Sequence, residues 1–504
     1  MEFEQMVKKI NLTSKEDNIE VVTEVFENVK ILDNMSNIER ILLSNTEAVI
    51  KNIALKNGKF VLKGILKLNI LYLGENEALA SVDKNIEFFV NLGEGEKWDK
   101  IFNLRASIAS IETRVIKKRR IEVSANVKIS GVSIIPEDIN VMNDNNIEGL
   151  EIKTNSDICS VFDLNSTKET FTFKKDVPLS DSVSVLFVFA KLRDVNTNAS
   201  GVGVLYSAKV EVTLIYKVGF EDDSDTKIEK LIYPINHFIE KDPKLKCDYY
   251  NIVPSVESVS GEYVMDDEDS YIEITMDLIS STLFCEKKEV NIIEDAYSTN
   301  RNSLPVLKEH SIVMLGSDFE KKMKVTNSKT LIDTDMIGGV IGDMEYVKFD
   351  YSVDESILSV EGSVVTQVVT YIDNDSRYYV DTINVPFELK EEISGGENLD
   401  LFVDVNVNNL VVTSLNQTIS IDGEVIVSGY MFDTKEVSDI ATIENIEAEE
   451  ENVDSIKVKV YYKEKNESLW DIGKKNLIAK EDILNMNGFE SEEDVLESCP
   501  LIIK

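Results

Sequence analysis

One strand-like stretch recurs three times, and no feature constrains the fold of this chain more. Gly64–Tyr72, Ala208–Tyr216 and Ser363–Tyr371 each close on a tyrosine, and the three tyrosines stand 144 and 155 residues apart. A second anchor follows each tyrosine: Asn85–Phe88, Tyr233–Ile235 and Asn384–Phe387. A third is a paired apolar step, Ile108 with Ile111, Val256 with Val259, and Val407 with Leu410. Each third anchor leads through a polar turn, Lys117–Arg120, Asp266–Asp269 or Leu415–Gln417, into another strand-like run. Generic strands align with one another easily, so it is the repeated order of anchors that carries the argument for three copies of one unit.

Outside the tail, apolar residues alternate with period two. Val61–Tyr72 reads as a long strand partly buried on both faces, while Ile121–Gly131, Val403–Val407 and Ile419–Val427 alternate cleanly. Only 8 prolines occur, so Gly, Asn and Asp supply the turns. The expected fold is mainly β: three tandem β-sandwich or barrel-like modules over residues 1–142, 150–300 and 301–435, then a small βααβ domain over 455–504. Each module is long enough to bury its own core. Ser36–Leu43 reads as a short helix or turn beside the first module, and Asn143–Gly149 as a linker to the second. Residues 436–454 carry eight acidic side chains and no basic one, the pattern of a self-repelling, disordered linker.

Charge narrows the function. The 504 residues carry 53 Lys and Arg against 92 Asp and Glu, a net charge of −39. Such a surface repels phosphate backbones and anionic headgroups, which argues against nucleic acid or membrane as the main ligand. No apolar run is long enough to span a bilayer, and the acidic start Met1–Ile10 has no signal-peptide character. The four cysteines, Cys159, Cys247, Cys285 and Cys499, are scattered, which fits reduced thiols better than a disulfide framework. The two histidines, His237 and His310, are too far apart in sequence to suggest a zinc site; His237 reads as a sheet-surface residue.

Motifs for chemistry are sparse. No G-x-x-x-x-G-K-[ST] phosphate loop occurs, and Gly338–Gly342 reads as a tight turn between strands. Asp144–Gly149 matches half of a calcium loop, but Asn155 stands where a bidentate Glu is needed. Lys117–Arg120 is either a solvated turn or a docking point for an acidic partner or lipid patch. No catalytic set stands out, so the expectation is a non-enzymatic protein with no cofactor and no metal.

The last fifty residues follow a different period. Lys457–Val460 is strand-like, Asn466–Ile472 starts a helix with Ser468 as N-cap, and Ala479–Met486 forms a second helix ended by Asn487–Gly488. Leu501–Ile503 closes as a strand. Seven lysines and three acidic residues lie between Lys457 and Lys480, whereas seven acidic residues and Lys504 alone follow from Glu481, so the domain is electrically two-sided.

This tail resembles a LysM domain. Asn466–Trp470 matches the family's Gly-Asp-Thr-Leu-Trp segment, and Ile483–Asn487 its Leu-Leu-x-x-Asn segment. Asn466 stands where the family has glycine, and Ser498–Pro500 replaces the usual Gly-Gln turn. A triple β-array ahead of such a tail is similar to the SipL-type spore-coat morphogenetic proteins, whose arrays are SPOCS repeats. The resemblance implies a mother-cell cytoplasmic protein at the forespore outer surface, binding a stage IV sporulation protein A-like ATPase through the tail. The alternative it leaves open is a peptidoglycan- or cortex-binding spore surface protein. The expected partner-binding residues are Asn466, Glu467, Ser468 and Trp470 in one loop, with Asn487, Gly488 and Phe489 across from them. Aromatic anchors in a charged surround suit a protein partner better than a sugar. Trp470 has a competing reading, as support for the small core.

Overall fold

Each of the three tyrosine-ended stretches is the middle strand of a three-stranded antiparallel sheet. A computed structural model describes residues 7–445 and 458–503 apart from 34, 76–78, 95–100, 143–148, 179–182, 220–224, 245, 247, 266–268, 300–302, 332–336, 355, 373–376, 394–398, 466 and 496–499. The first set of strands is β1 (Val7–Lys30), β2 (Ile38–Lys56), β3 (Lys59–Gly74), β4 (Leu79–Glu94), β5 (Ile101–Lys117) and β6 (Arg120–Met142). The second is β7 (Leu150–Asp176), β8 (Val183–Ser200), β9 (Gly203–Val218), β10 (Asp225–Glu240), β11 (Tyr249–Met265) and β12 (Ser270–Ser298). The third is β13 (Ser303–Thr330), β14 (Ile337–Asp354), β15 (Ile357–Ile372), β16 (Arg377–Glu392), β17 (Leu399–Leu415) and β18 (Thr418–Asn445).

The pairing order is the same in each set. Strands two, three and four form one antiparallel sheet, β2-β3-β4, β8-β9-β10 or β14-β15-β16. The sixth strand pairs with both the first and the fifth: β6 with β1 and β5, β12 with β7 and β11, β18 with β13 and β17. The two sheets of a set face each other over an apolar core, as alternation with one buried face requires. Leu62, Leu66 and Phe88 meet Val123, Ala125 and Val127 in the first. Val210, Val212 and Ile235 meet Ile274 and Met276 in the second. Val360, Val364 and Phe387 meet Ile421 and Val425 in the third. The paired apolar steps of the sequence fall at a shift of register in the fifth strand, between Ile108 and Ser110, Val256 and Ser258, and Asn408 and Val411. One β-bulge per set at the same place bends each fifth strand.

Glycine answers a steric demand in two of the middle strands. Gly64 lies opposite Phe88 and Gly362 opposite Phe387. A Cβ on Gly64 would lie 2.1 Å from the Phe88 ring, and one on Gly362 would lie 2.3 Å from the Lys348 carbonyl. The aromatic ring fills the space that the missing side chain leaves.

Long extensions of the first and sixth strands gather the three sets about a common centre. Val132, Leu283 and Tyr430 hold matching places in β6, β12 and β18, as do Ile134, Cys285 and Phe432, and all six share one apolar cluster. Leu12, Cys159 and Ile312 do the same in the next layer. At the opposite end the hairpin sheets meet through Leu71, Phe187, Ile215 and Val369. Between these layers lies a cavity of about 1230 Å³ lined by all three sets.

Several expectations are corrected. Residues 38–43 belong to β2 rather than to a helix, with Leu42 and Leu43 buried. The acidic stretch begins as sheet: β18 continues to Asn445 and pairs with β13, because Val437 and Ile440 turn inward while Glu436 and Glu444 face water. The linker over 436–454 therefore cannot begin at Glu436, and residues 446–454 lie outside the described residues. Gly338–Gly342 is part of β14, with a register shift between Ile337 and Gly339. A Cβ on Gly342 would strike Val412, so the glycine permits close approach of β14 to β17. The basic turn is solvated, as one of its two readings had it, with Lys117, Lys118 and Arg120 exposed, while Arg119 donates to the Met35 carbonyl at 3.0 Å. His237 is half-buried between Thr167 and the edge of Tyr206. The half calcium loop lies outside the described residues except for Gly149.

Candidate partner-binding site

Local signals in the tail sequence set its elements. Strand β19 (Val460–Tyr462) precedes α1 (Leu469–Asn476), α2 (Lys480–Asn487) and β20 (Pro500–Ile502), and β20 pairs antiparallel with β19. Ser468 caps α1: its hydroxyl accepts from the Asp471 amide at 3.1 Å, while the Asp471 carboxylate accepts from the Ser468 amide at 3.1 Å. This reciprocal box satisfies two amides that a helix start leaves unpaired. Gly488 ends α2 in the left-handed region at φ 70, and the Phe489 amide then donates to the Leu484 carbonyl at 3.0 Å. Leu469, Ile472, Ile483, Val495, Leu501 and Ile503 form the small core between them.

The expected site residues take separate places. Glu467 accepts from the Tyr461 hydroxyl at 2.6 Å and from the Glu464 amide at 3.1 Å. Asn487 braces β20, donating to the Ile502 carbonyl at 2.8 Å and accepting from its amide at 2.7 Å. Phe489 packs against the small core rather than presenting a free ring. Asn466 lies outside the described residues. Among the described residues no hydrogen bond joins Glu467, Ser468 or Trp470 to Asn487, Gly488 or Phe489. The turn that Gly488 starts carries Phe489 back to the small core, against which it is partly buried, while Trp470 lies on α1. The Lys480–Glu492 pair, at 2.5 Å, ties the basic half of the tail to its acidic half.

Trp470 faces the array. Its Nε1 donates to Asp295 Oδ2 at 2.9 Å, and Lys474, one turn further along α1, donates to both oxygens of that carboxylate at 2.7 Å. The Tyr297 ring meets the indole edge-on at 4.8 Å between centroids, and its hydroxyl donates to the Ile478 carbonyl at 2.9 Å. Gly473 gives this hydroxyl room, since a Cβ there would lie 2.4 Å from it. Burial pushes the Asp295 carboxyl up, but the hydrogen bonds from Lys474 and Trp470 outweigh it and hold the group below its ordinary value. Burial likewise pushes the Tyr297 phenol up. Asp295 follows a shift of register between β7 and β12 at Ile293, which re-aims the strand. Neither Asp295 nor Tyr297 carries a sequence signal for this role.

In the central cavity, cations are matched by carboxylates from neighbouring strands: Lys51 with Glu257, Lys128 with Glu20, and Arg105 with Asp404. Among the described residues no helix is long and apolar enough to cross a membrane.

No curated protein and no solved structure matches the chain. Residues 37–155, from the strand before the first tyrosine-ended stretch to the start of β7, match the family model described as SipL, SPOCS domain.

Proposed function

We propose that this chain is a non-enzymatic assembly adaptor of the spore coat. In this reading the three strand sets form a rigid SPOCS-type scaffold, and the βααβ tail is a LysM-like domain that binds a stage IV sporulation protein A-like ATPase. It acts at the forespore outer surface, in the mother-cell cytoplasm. The observation that carries the reading is the SPOCS match over 37–155 in a chain whose tail is a separately cored βααβ unit. The tail's basic half suits an acidic protein surface, and Trp470 is the residue type that most often anchors such contacts. The test is binding of the purified full chain to the purified ATPase, with and without residues 455–504. Loss of binding on truncation supports the adaptor. Undiminished binding by the truncated chain overturns it, and retention of the full chain on peptidoglycan without any protein would favour the glycan-binding alternative.

A further inference from the structure

The Trp470 face is partly covered in the folded chain. One carboxylate and one phenol from the end of β12 hold α1 along its length: Asp295 takes the indole N–H and the Lys474 ammonium, while Tyr297 covers the indole edge and reaches the carbonyl of Ile478 beyond the helix. The packing is close, since the Gly473 backbone leaves no space for a Cβ beneath the Tyr297 hydroxyl. Asp295 keeps about a quarter of its side-chain exposure, 23%, and Lys474 about half, 48%, so water can compete for the ion pair at its rim. Glu151 of β7 adds a hydrogen bond from the Lys480 backbone at the start of α2, so only a few polar contacts and one ring hold the tail, a set small enough to open locally.

We propose that Asp295 and Tyr297 form an intramolecular cap over the partner-binding face of the tail, which must lift before the partner can engage Trp470. The proposal rests on the adaptor reading above and adds regulation to it. Only the uncapped fraction binds, so the apparent dissociation constant is the intrinsic one divided by that fraction. A chain capped in this way stays largely unengaged at low partner concentration and engages where the partner is concentrated.

The test uses the full chain. Of the two tryptophans, Trp98 is replaced by Phe so that Trp470 reports alone, and acrylamide quenching is compared for W98F, W98F/D295A and W98F/Y297A. Affinity for the purified ATPase is measured for the same three proteins and for W98F/W470A. The cap predicts stronger quenching and roughly five- to tenfold tighter binding for D295A and Y297A, with binding lost for W470A. Unchanged quenching in both cap variants overturns the cap whatever the binding result. Stronger quenching with unchanged or weaker binding also overturns it, since the uncovered face is then not the one the partner uses. Absence of binding by all four proteins overturns the adaptor reading and the cap with it.

Discussion

Arg105 and Asp404 hold the same register position in the first and third strand sets, and their side chains are paired with each other. Arg105 lies opposite Ser130 in β6 and Asp404 opposite Ser428 in β18, while Val253 holds the matching place opposite Ser281 in β12. The guanidinium also donates to Asn251 of the second set at 3.2 Å and lies 5.8 Å from the centroid of the Phe402 ring. Three copies of one position, carrying a cation, an anion and an apolar residue, thus meet where the sets converge. A symmetric array could not form this pair; divergence of the copies makes it possible.

Arg105→Leu is expected to destabilise the chain by about 2–3 kcal/mol, because Asp404 would keep a charge without its partner. The loss is smaller than for a fully buried pair, since the two side chains retain 18% and 22% exposure. The exchanged pair R105D/D404R should recover much of it. Urea midpoints for the three proteins measure both effects, and an R105L midpoint equal to wild type would refute the account.

His310 is buried between two carboxylates, with Nδ1 2.8 Å from Glu137 Oε1 and Nε2 3.2 Å from Asp439 Oδ1. Ile10 and Val141 occupy the corresponding register positions of the first set. Asp439 also accepts from the Asn140 amide at 2.8 Å, so this polar cluster joins the first and third sets. His310→Phe should cost about 3 kcal/mol by leaving the two carboxylates facing each other. The double variant H310I/D439V, which copies the first set, should restore most of that loss, less about 1 kcal/mol for the Asn140 amide. Thermal denaturation of both variants decides it.

Gly362→Ala should destabilise more than Gly64→Ala. The new methyl at 362 meets the Lys348 carbonyl, which is fixed in a sheet, whereas at 64 it meets the far end of the Phe88 side chain, which can shift. Expected costs are about 2–3 kcal/mol against about 1. Equal denaturation midpoints for the two variants would contradict this ranking.

Docking of the tail should weaken in acid. Asp295 titrates below its ordinary value of 3.8 when docked, so its contribution is complete above that value and is lost as pH falls through the lower, docked one. Asp471 is the like charge on α1, and from β7 Glu151, whose carboxyl burial pushes up, accepts from the Lys480 backbone of α2. In a W98F background, Trp470 emission should stay constant from pH 7 to about 4 and shift below that. The D295N variant should show no such step, and far-ultraviolet circular dichroism over the same range separates undocking from loss of the sheets.

Much of the fold was legible in the sequence because its causes are local. Period-two alternation placed the strands, since it reflects which side of a pleat each residue occupies. The anchors at Tyr72, Tyr216 and Tyr371 marked the middle strand of each hairpin sheet, and the paired apolar steps marked the bulges. Ser468 with Asp471, and Asn487 with Gly488, marked the ends of the tail's helices through capping chemistry that spans a few residues. Charge density misled at Glu436–Asn445, where pairing with β13 outweighs repulsion among side chains that face water.

The candidate site was legible as residue types but not as an arrangement. Trp470 reaches Asp295 across 175 residues of chain, and Arg105 reaches Asp404 across 299. No local propensity encodes such pairs; they exist only once three strand sets have packed about one centre and brought distant strand ends together. Strands, recurring pattern and capped helices follow from local residue order. That the tail's tryptophan turns toward the array follows from packing, because a contact between distant segments is a property of the packed chain and not of either segment.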